Sequence, residues 1–470
     1  MPTLAAPASA AVTPPATRTT ALVAGTLAVA LMLAGTRWGS YIGMKGLYLT
    51  DVLIAGAVVH HVLNLSGQKR IDPTGYMPRT TPGALYLLFF AYVAVRLAAS
   101  FDQFGAAWLR DAVPFLYIAL GVLSASAIAR SSERTRTLTV RVLWIALLFH
   151  LTWTTAVLTF GVINPASMPR FPGAEVTIGT IRPDIDCAVL GITAALLIRK
   201  ISRREHTLLA SALLVLSLLA ISANGTRGGF AAVGVAIALA FILIFFAASA
   251  RSFKRPAVVF CIVATVIGAS AYLPTTEAGQ RLIATINPSA ATDHRAAKQA
   301  QGTARARDLS WDMVIDWTNE TPMRNAFGAG AGPDFISESG ARNILQGTQY
   351  TGVRSPHNWF VGLYARMGLI GLVLAGLVLI ATIRSIWVHR TRIGRDELLF
   401  TSAVTFAAIL PIAAVGVVLE SPFGAVPFWW AVGILLALGG TRVASSKGRI
   451  STAGFCCDRT RTSFTARANE

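Results

Sequence analysis

The sequence predicts an all-α polytopic membrane protein. Three observations predict it. Of 470 residues, 54% are hydrophobic and only 13% are charged. The mean hydropathy is +0.58. The apolar runs, rich in Leu, Ala, Val and Ile, show no period of two. A soluble globular chain carries about a quarter charged residues, and one this long and this apolar cannot hide its apolar surface in a soluble core. In hydrocarbon, backbone polar groups must bond within their own segment, so long apolar runs become helices. The absence of alternation argues against a barrel.

The elements follow in order. Residues 1–19 are rich in Pro, Ala and Thr, a composition of disorder and a poor signal peptide. About twelve runs of bilayer-spanning length come next: 20–36, 47–65, 84–100, 112–129, 140–160, 185–198, 206–223, 228–250, 256–274, 358–382, 398–417 and 425–440. They form a first membrane block over 20–274 and a second over 358–440. Between them lies a polar segment, 275–357, and after them a basic tail, 441–470.

Charge orients the chain. With the N-terminus inside, the inner segments hold basic groups such as Lys69, Arg70 and Arg79, Arg130 to Arg141, Arg199 to Arg204, Arg251 to Arg255 and Arg384 to Arg395. The short outer loops hold only Arg37, Lys45, Arg110, Arg170, Arg182 and Arg227. This is the positive-inside pattern, which predicts both termini in the cytoplasm and the long 275–357 loop outside. The net charge of +19, from 41 Lys plus Arg against 22 Asp plus Glu, is then explained by inner loops facing anionic lipid. No aromatic-interleaved basic patch points to nucleic acid. Cys187 and Cys261 fall in apolar runs and Cys456 and Cys457 in the tail, so no structural disulfide is expected.

The long loop contains Trp311, Trp317, Phe327, Phe335 and Tyr350, which predicts ordered structure. Residues 304–319 read as an amphipathic helix with Leu309, Met313 and Trp317 on one stripe, suited to a membrane interface. Asp308, Asp312 and Asp316 share another face. That spacing could hold a divalent cation, but the wet face of a surface helix is the commoner reading, and no metal site is assigned.

Four clusters on the outer side attract chemistry. Asn224-Gly225-Thr226-Arg227-Gly228-Gly229 is a tight turn whose Arg offers a planar fork for phosphate. A plain turn with a snorkelling Arg is the bland alternative. Arg305 and Arg307 lie at the start of the amphipathic helix, an anion site or a solvated helix end. Asn325 to Asp334 carries Gly328, Gly330 and Gly332. It is no dinucleotide fingerprint, because no strand–turn–helix unit surrounds it. Arg354-Ser355-Pro356-His357-Asn358-Trp359 stands at the mouth of the tenth span, where a His is either a proton acceptor or an interfacial neighbour of a Trp anchor. Within the spans, Asp51, His60, His61, Arg96 and Arg366 are functional candidates because ionisable groups at membrane depth are costly. Arg366 and Glu420 are read as lining the same cavity as His357.

In order and topology these motifs resemble the O-antigen ligase family, which includes related polysaccharide polymerases. The resemblance rests on Thr226-Arg227-Gly228 between two spans, then Arg307 with Trp311 in a long outer loop, then Pro322 and the turn of Gly328, Gly330 and Gly332. His357-Asn358 opens the next span, with Arg366-Met367-Gly368-Leu369-Ile370-Gly371 following. Arg110-Asp111 and Arg182-Pro183-Asp184 are also similar, and the match spans most of 100–440. It implies a membrane glycosyltransferase on the outer face of the cytoplasmic membrane. The donor would be a glycan on a polyprenyl diphosphate and the acceptor a sugar hydroxyl of another saccharide or glycolipid. Attack at the anomeric carbon would invert it, with no nucleotide, metal or other cofactor. Arg227 and Arg307 match positions that stabilise the leaving diphosphate, and His357 matches the base or acceptor-orienting residue. Arg305, Asn358, Gly328 and Gly330 are placed with the substrate. A single-transfer ligase and a chain-building polymerase share these motifs. A transporter, from a different class, would show paired repeats and broken helices, and no such repeat is visible.

Overall fold

The computed structural model describes residues 17–438 apart from 45–46, 67–79, 102, 129–130, 225, 249–274, 276–278, 281–282, 285–286, 288–293 and 347–353. The predicted ninth span, the predicted disordered stretch up to residue 16 and the basic tail lie outside the described residues.

The described chain is almost entirely helical. The membrane helices are α1 (Thr17–Gly35), α2 (Leu49–Ser66), α3 (Thr81–Ala99), α4 (Ala106–Leu116), α5 (Ile118–Ile128), α6 (Glu133–Thr154), α7 (Pro183–Ser202), α8 (Thr207–Asn224) and α9 (Arg227–Ala247). After the long α10 (His294–Asn319) come α11 (Trp359–Val388), α12 (Glu397–Val415) and α13 (Pro422–Ala437). Among the described residues, seven helical stretches are long and apolar enough to cross a bilayer on their own, and the apolar parts of α1, α2 and α13 are shorter. The two-residue hairpin Gly43–Met44 and Leu47–Tyr48 is the only sheet among the described residues.

Capping starts several of these helices. The hydroxyls of Thr80, Ser132 and Thr226 accept from Gly83, Thr135 and Gly229 backbone N–H groups, each at 3.2 Å, and Asp396 accepts from Leu399 at 3.1 Å. Each cap satisfies a donor that the first helical turn leaves orphaned.

The helices differ in what surrounds them. α13 is the axis of the bundle: every residue from Phe423 to Ala437 is buried, and it packs on α5, α12 and α1. The contact with α5 is backbone to backbone, since a Cβ on Gly433 would lie 2.1 Å from the carbonyl oxygen of Gly121. Small residues allow such approach between membrane helices. Ser124 adds a hydrogen bond to the Trp430 carbonyl at 3.0 Å. At the other extreme, α8 buries 22% of its apolar window and α3 28%. Their remaining faces are clad in exposed Leu and Val, as lipid contact requires.

Several expectations shift. Thr17 already begins α1, inside the stretch read as disordered. The span placed at 112–129 starts at Ala106 and breaks at Tyr117 into α4 and α5. Its charged first turns looked like loop, but Asp111 is buried and paired. The span placed at 185–198 runs to Ser202 with Arg199 buried. In the loop helix, Leu309 is exposed, and the buried stripe is Ser310, Val314, Trp317 and Thr318. Val314 and Trp317 join Phe335, Ile336, Ala341 and Leu345 in a small core that closes on Val361 and Ala365 of α11. Packing on that core, rather than on lipid alone, sets the helix's rotation.

Intramembrane Asp51 accepts from the Tyr117 hydroxyl at 3.0 Å, and His61 shares a 2.9 Å hydrogen bond with Ser126. These contacts tie α2 to the α4–α5 segment. His60 is half-buried on α2.

Candidate functional site

One end of the bundle gathers the starts of α7 and α9, the end of α12, the turn before α13, the middle of α10 and the entry to α11. A cavity of about 320 Å³ opens there, lined by Arg110, Asp111, Arg354, Ser355, His357, Trp359, Arg366, Glu420 and Ser421, with Pro114, Phe115, Val417 and Leu419.

Its floor is an ion network. Arg366 of α11 is buried, and its Nη1 donates to Asp111 Oδ2 of α4 at 2.7 Å, with its guanidinium 4.8 Å from the Phe335 ring centroid. Arg354 approaches the same oxygen at 3.4 Å and donates to the Gly332 carbonyl at 2.6 Å. The Gly332 N–H also reaches Asp111, at 3.2 Å. The Asp111 carboxylate therefore serves two guanidinium groups, and Arg354 also lies 3.6 Å from Asp334.

The glycine turn braces this floor. Gly328 has φ +74° and Gly368, at a kink inside α11, has φ +65°. A Cβ on Gly328 would meet the Arg366 carbonyl carbon at 2.3 Å, and one on Gly368 the Ala326 carbonyl carbon at 2.4 Å. The two segments thus touch through bare backbone. Ala329 and Gly330 N–H groups donate to the carbonyls of Ala365 and Arg366 at 2.8 and 2.9 Å. Arg96 adds a hydrogen bond to the Gly328 carbonyl at 2.9 Å. Gly328 and Gly330 are buried in this packing, where their contribution is to hold Arg366.

His357 sits at the cavity wall with φ +56°, an unusual backbone for a non-glycine residue. Burial pushes its pKa down to about 4, with Arg307 and then Arg182 adding to the effect. The ring is neutral at pH 7 and able to accept a proton. Asn358 follows as the N-cap of α11, its Oδ1 accepting from Phe360 and Val361 N–H groups at 3.0 and 3.4 Å.

Arg307 lies partly buried and donates to the Val415 carbonyl, at the end of α12, at 3.3 Å. The same Val415 side chain is 3.2 Å from where a Cβ of Gly228 would stand. Arg227, the first residue of α9, is therefore brought to the helix end that Arg307 reaches. Arg305 is exposed, as are Asp308, Asp312 and Asp316. Trp311 donates to the Pro356 carbonyl at 2.5 Å and fixes α10 against the His357 segment.

Glu420 closes the cavity from the turn before α13. It accepts from the Ser355 hydroxyl at 2.8 Å. Burial raises its pKa, opposed first by Arg366. Gly362 makes room for it, since a Cβ there would lie 2.5 Å from Glu420 Oε1.

Three further side chains, all within motifs noted in the sequence, find their partners only in three dimensions. Asp111 and Arg354 build the floor. Arg182, whose guanidinium lies 4.1 Å from the Phe423 ring centroid, adds a second cation beside His357. Its own pKa is lowered by burial and then by Arg37. The signal in sequence was the set Arg110-Asp111, Arg182-Pro183-Asp184 and Arg354, each beside a span.

Residues 212–376 match the model of a family described as O-antigen ligase. The matched stretch contains Arg227, Arg305, Arg307, Gly328, Gly330, His357, Asn358 and Arg366, whereas Asp111, Arg182 and Glu420 lie outside it. No curated protein matches the chain.

Proposed function

We propose that this multi-pass membrane protein, whose residues 212–376 match the O-antigen ligase family model, is a glycosyltransferase that moves a glycan from a polyprenyl diphosphate to a hydroxyl of a saccharide or glycolipid acceptor. The reaction takes place on the outer face of the cytoplasmic membrane. The observation that carries the reading is a His held neutral by burial and by neighbouring guanidinium groups at the wall of a cavity lined by Arg110, Arg354 and Arg366.

The acceptor oxygen attacks the anomeric carbon, the bond from that carbon to the diphosphate oxygen breaks, and the hydroxyl proton passes to a His357 ring nitrogen. Configuration inverts. Arg227 and Arg307 meet the negative charge that grows on the departing diphosphate, which fixed cations stabilise without reorganising. The same anion offsets the cations that depress His357, so donor binding raises the ring's proton affinity when a base is needed. Arg305, exposed one half-turn before Arg307, meets the diphosphate on entry. Asn358 sets the His357 backbone, while Glu420 and Arg366 orient acceptor hydroxyls within the cavity. The chain's own groups supply this chemistry without a cofactor.

Alanine at Arg227, Arg307 or His357 tests the reading. Each variant should insert and purify normally yet lose transfer by roughly a hundredfold or more, the usual scale for removing a charge-stabilising donor or a general base. Full activity in all three would overturn the assignment.

A further inference from the structure

A second and larger cavity, about 690 Å³, opens at the opposite end of the bundle. α7 fixes the separation. Arg182 begins this helix beside His357, and Arg199 and Lys200 end it at the second cavity. At 20 residues the helix spans about 30 Å, the thickness of a bilayer's hydrocarbon core. α12 runs the other way and agrees, with Val415 near Arg307 and Glu397 in the second cavity. The second cavity thus belongs to the other membrane face and takes no part in the His357 site.

Seven cationic and four acidic side chains line it. Three of the four acids are already engaged, and the fourth, Glu133, is exposed in the first turn of α6. Asp396 accepts from Arg136 at 2.5 Å and caps α12. Glu205 pairs with Arg203 at 2.8 Å and Lys200 at 3.4 Å. Glu397 accepts from the Trp144 indole at 2.6 Å, with Arg199 and Lys200 each no closer than 3.7 Å. No acid partners Arg141 or Arg395 among the described residues. Arg199 is 2% exposed. One of its nitrogens donates to the Arg395 carbonyl at 2.9 Å, and its buried Nε has no hydrogen-bond partner among the described residues. A buried guanidinium so thinly compensated is costly unless an anion completes it.

The walls say how the anion arrives. Val140 and Trp144 of α6 line the cavity, and Lys200 Nζ lies 4.9 Å from the Trp144 ring centroid. On the same helix, Leu138 and Ile145 are exposed at 44% and 70%. Basic groups in a pocket between helix ends, with an aromatic at the rim and an apolar helix face beside it, match the chemistry of an acidic headgroup whose acyl chains run along the helix.

We propose that this cavity binds a phosphate-bearing anion, delivered either as a phospholipid headgroup or as free phosphate. The test uses the full chain purified in detergent, with native mass spectrometry and thermal melting as readouts. Probes are phosphatidylglycerol, phosphatidylcholine and inorganic pyrophosphate. The wild-type protein should retain phosphatidylglycerol at least tenfold over phosphatidylcholine and melt higher with it. The double variant Arg141→Gln/Arg395→Gln, which leaves the Arg199 contacts in place, should retain the two lipids equally. If pyrophosphate alone reproduces the stabilisation and displaces lipid from the wild type, the phosphate source is soluble and the site stands. Equal retention of both lipids by the wild type, with no response to pyrophosphate, would overturn the proposal whether or not the variant folds.

Discussion

Replacing Asp111 by Asn removes one negative charge from beneath two guanidinium groups while keeping the side chain's shape. Arg366 and Asp111 meet at 2.7 Å with side chains only 5% and 4% exposed. Removing one partner of such a buried pair costs about 3–5 kcal/mol, because the remaining charge is left uncompensated. Two features place Asp111→Asn at the lower end, about 3 kcal/mol. The Asn oxygen can still accept from the Gly332 N–H, which lies 3.2 Å from Asp111, and Arg366 keeps the Phe335 ring at 4.8 Å. Removing the second charge with Arg366→Met should recover part of the loss, so the double variant is less destabilised than the two single costs added. Residues in direct contact couple by about 0.5–3 kcal/mol, and this pair belongs at the upper end. The assay is thermal unfolding in matched detergent, followed by tryptophan fluorescence, across the four proteins of the cycle. Asp111→Asn melting with the wild type, or strictly additive costs, would refute the claim that this carboxylate holds the cavity floor.

Three further outcomes follow from the same geometry. Gly328→Ala should cost about 2 kcal/mol or more, because its Cβ meets Arg366 backbone rather than a movable side chain; normal expression and melting would contradict this. Gly362→Ala clashes with the end of the Glu420 side chain and meets Pro356 at an ordinary 3.6 Å, so the fold should survive while transfer drops at least about tenfold through misplacement of that carboxyl; unchanged transfer would remove Glu420 from the site. The fold keeps His357 neutral, with a pKa of about 4 against an ordinary 6.5. Its contribution to stability is complete above the ordinary value and is lost as pH falls through about 4. The acid limb of kcat/KM should therefore lie near 4 in the free enzyme, with the limb of kcat higher once the anionic donor is bound; a kcat/KM limb near 6.5 would contradict the burial of the ring.

The membrane class was legible because hydropathy is local: Leu, Ala, Val and Ile in runs of bilayer length leave little choice but helices. Ends were less legible. Asp111 near the start of the fourth span and Arg199 near the end of the sixth read as loop charges, and only their partners make burial possible. Those partners are remote, with Arg366 255 positions from Asp111 and the Arg395 carbonyl 196 from Arg199. The α10 stripe was legible in part for a related reason: Met313 and Trp317 pack on the small core and Leu309 does not. Periodicity finds a face, but Phe335 and Ile336 decide which face is covered, so Leu309 is left outside. In the site, His357, Arg307 and Arg227 were visible as isolated motifs. Arg182 gained its place only when the start of α7 was brought against them.

The central claim is tested most directly by wild-type protein in liposomes. The assay supplies a labelled glycan on polyprenyl diphosphate, an acceptor mixture, a chelator and no nucleotide, and follows the label by gel. The account predicts movement of the label onto the acceptor with release of polyprenyl diphosphate, one band for a ligase and a ladder for a polymerase. Intact lipid-linked glycan crossing the bilayer, with no transfer to any acceptor, would contradict it and make the protein a transporter.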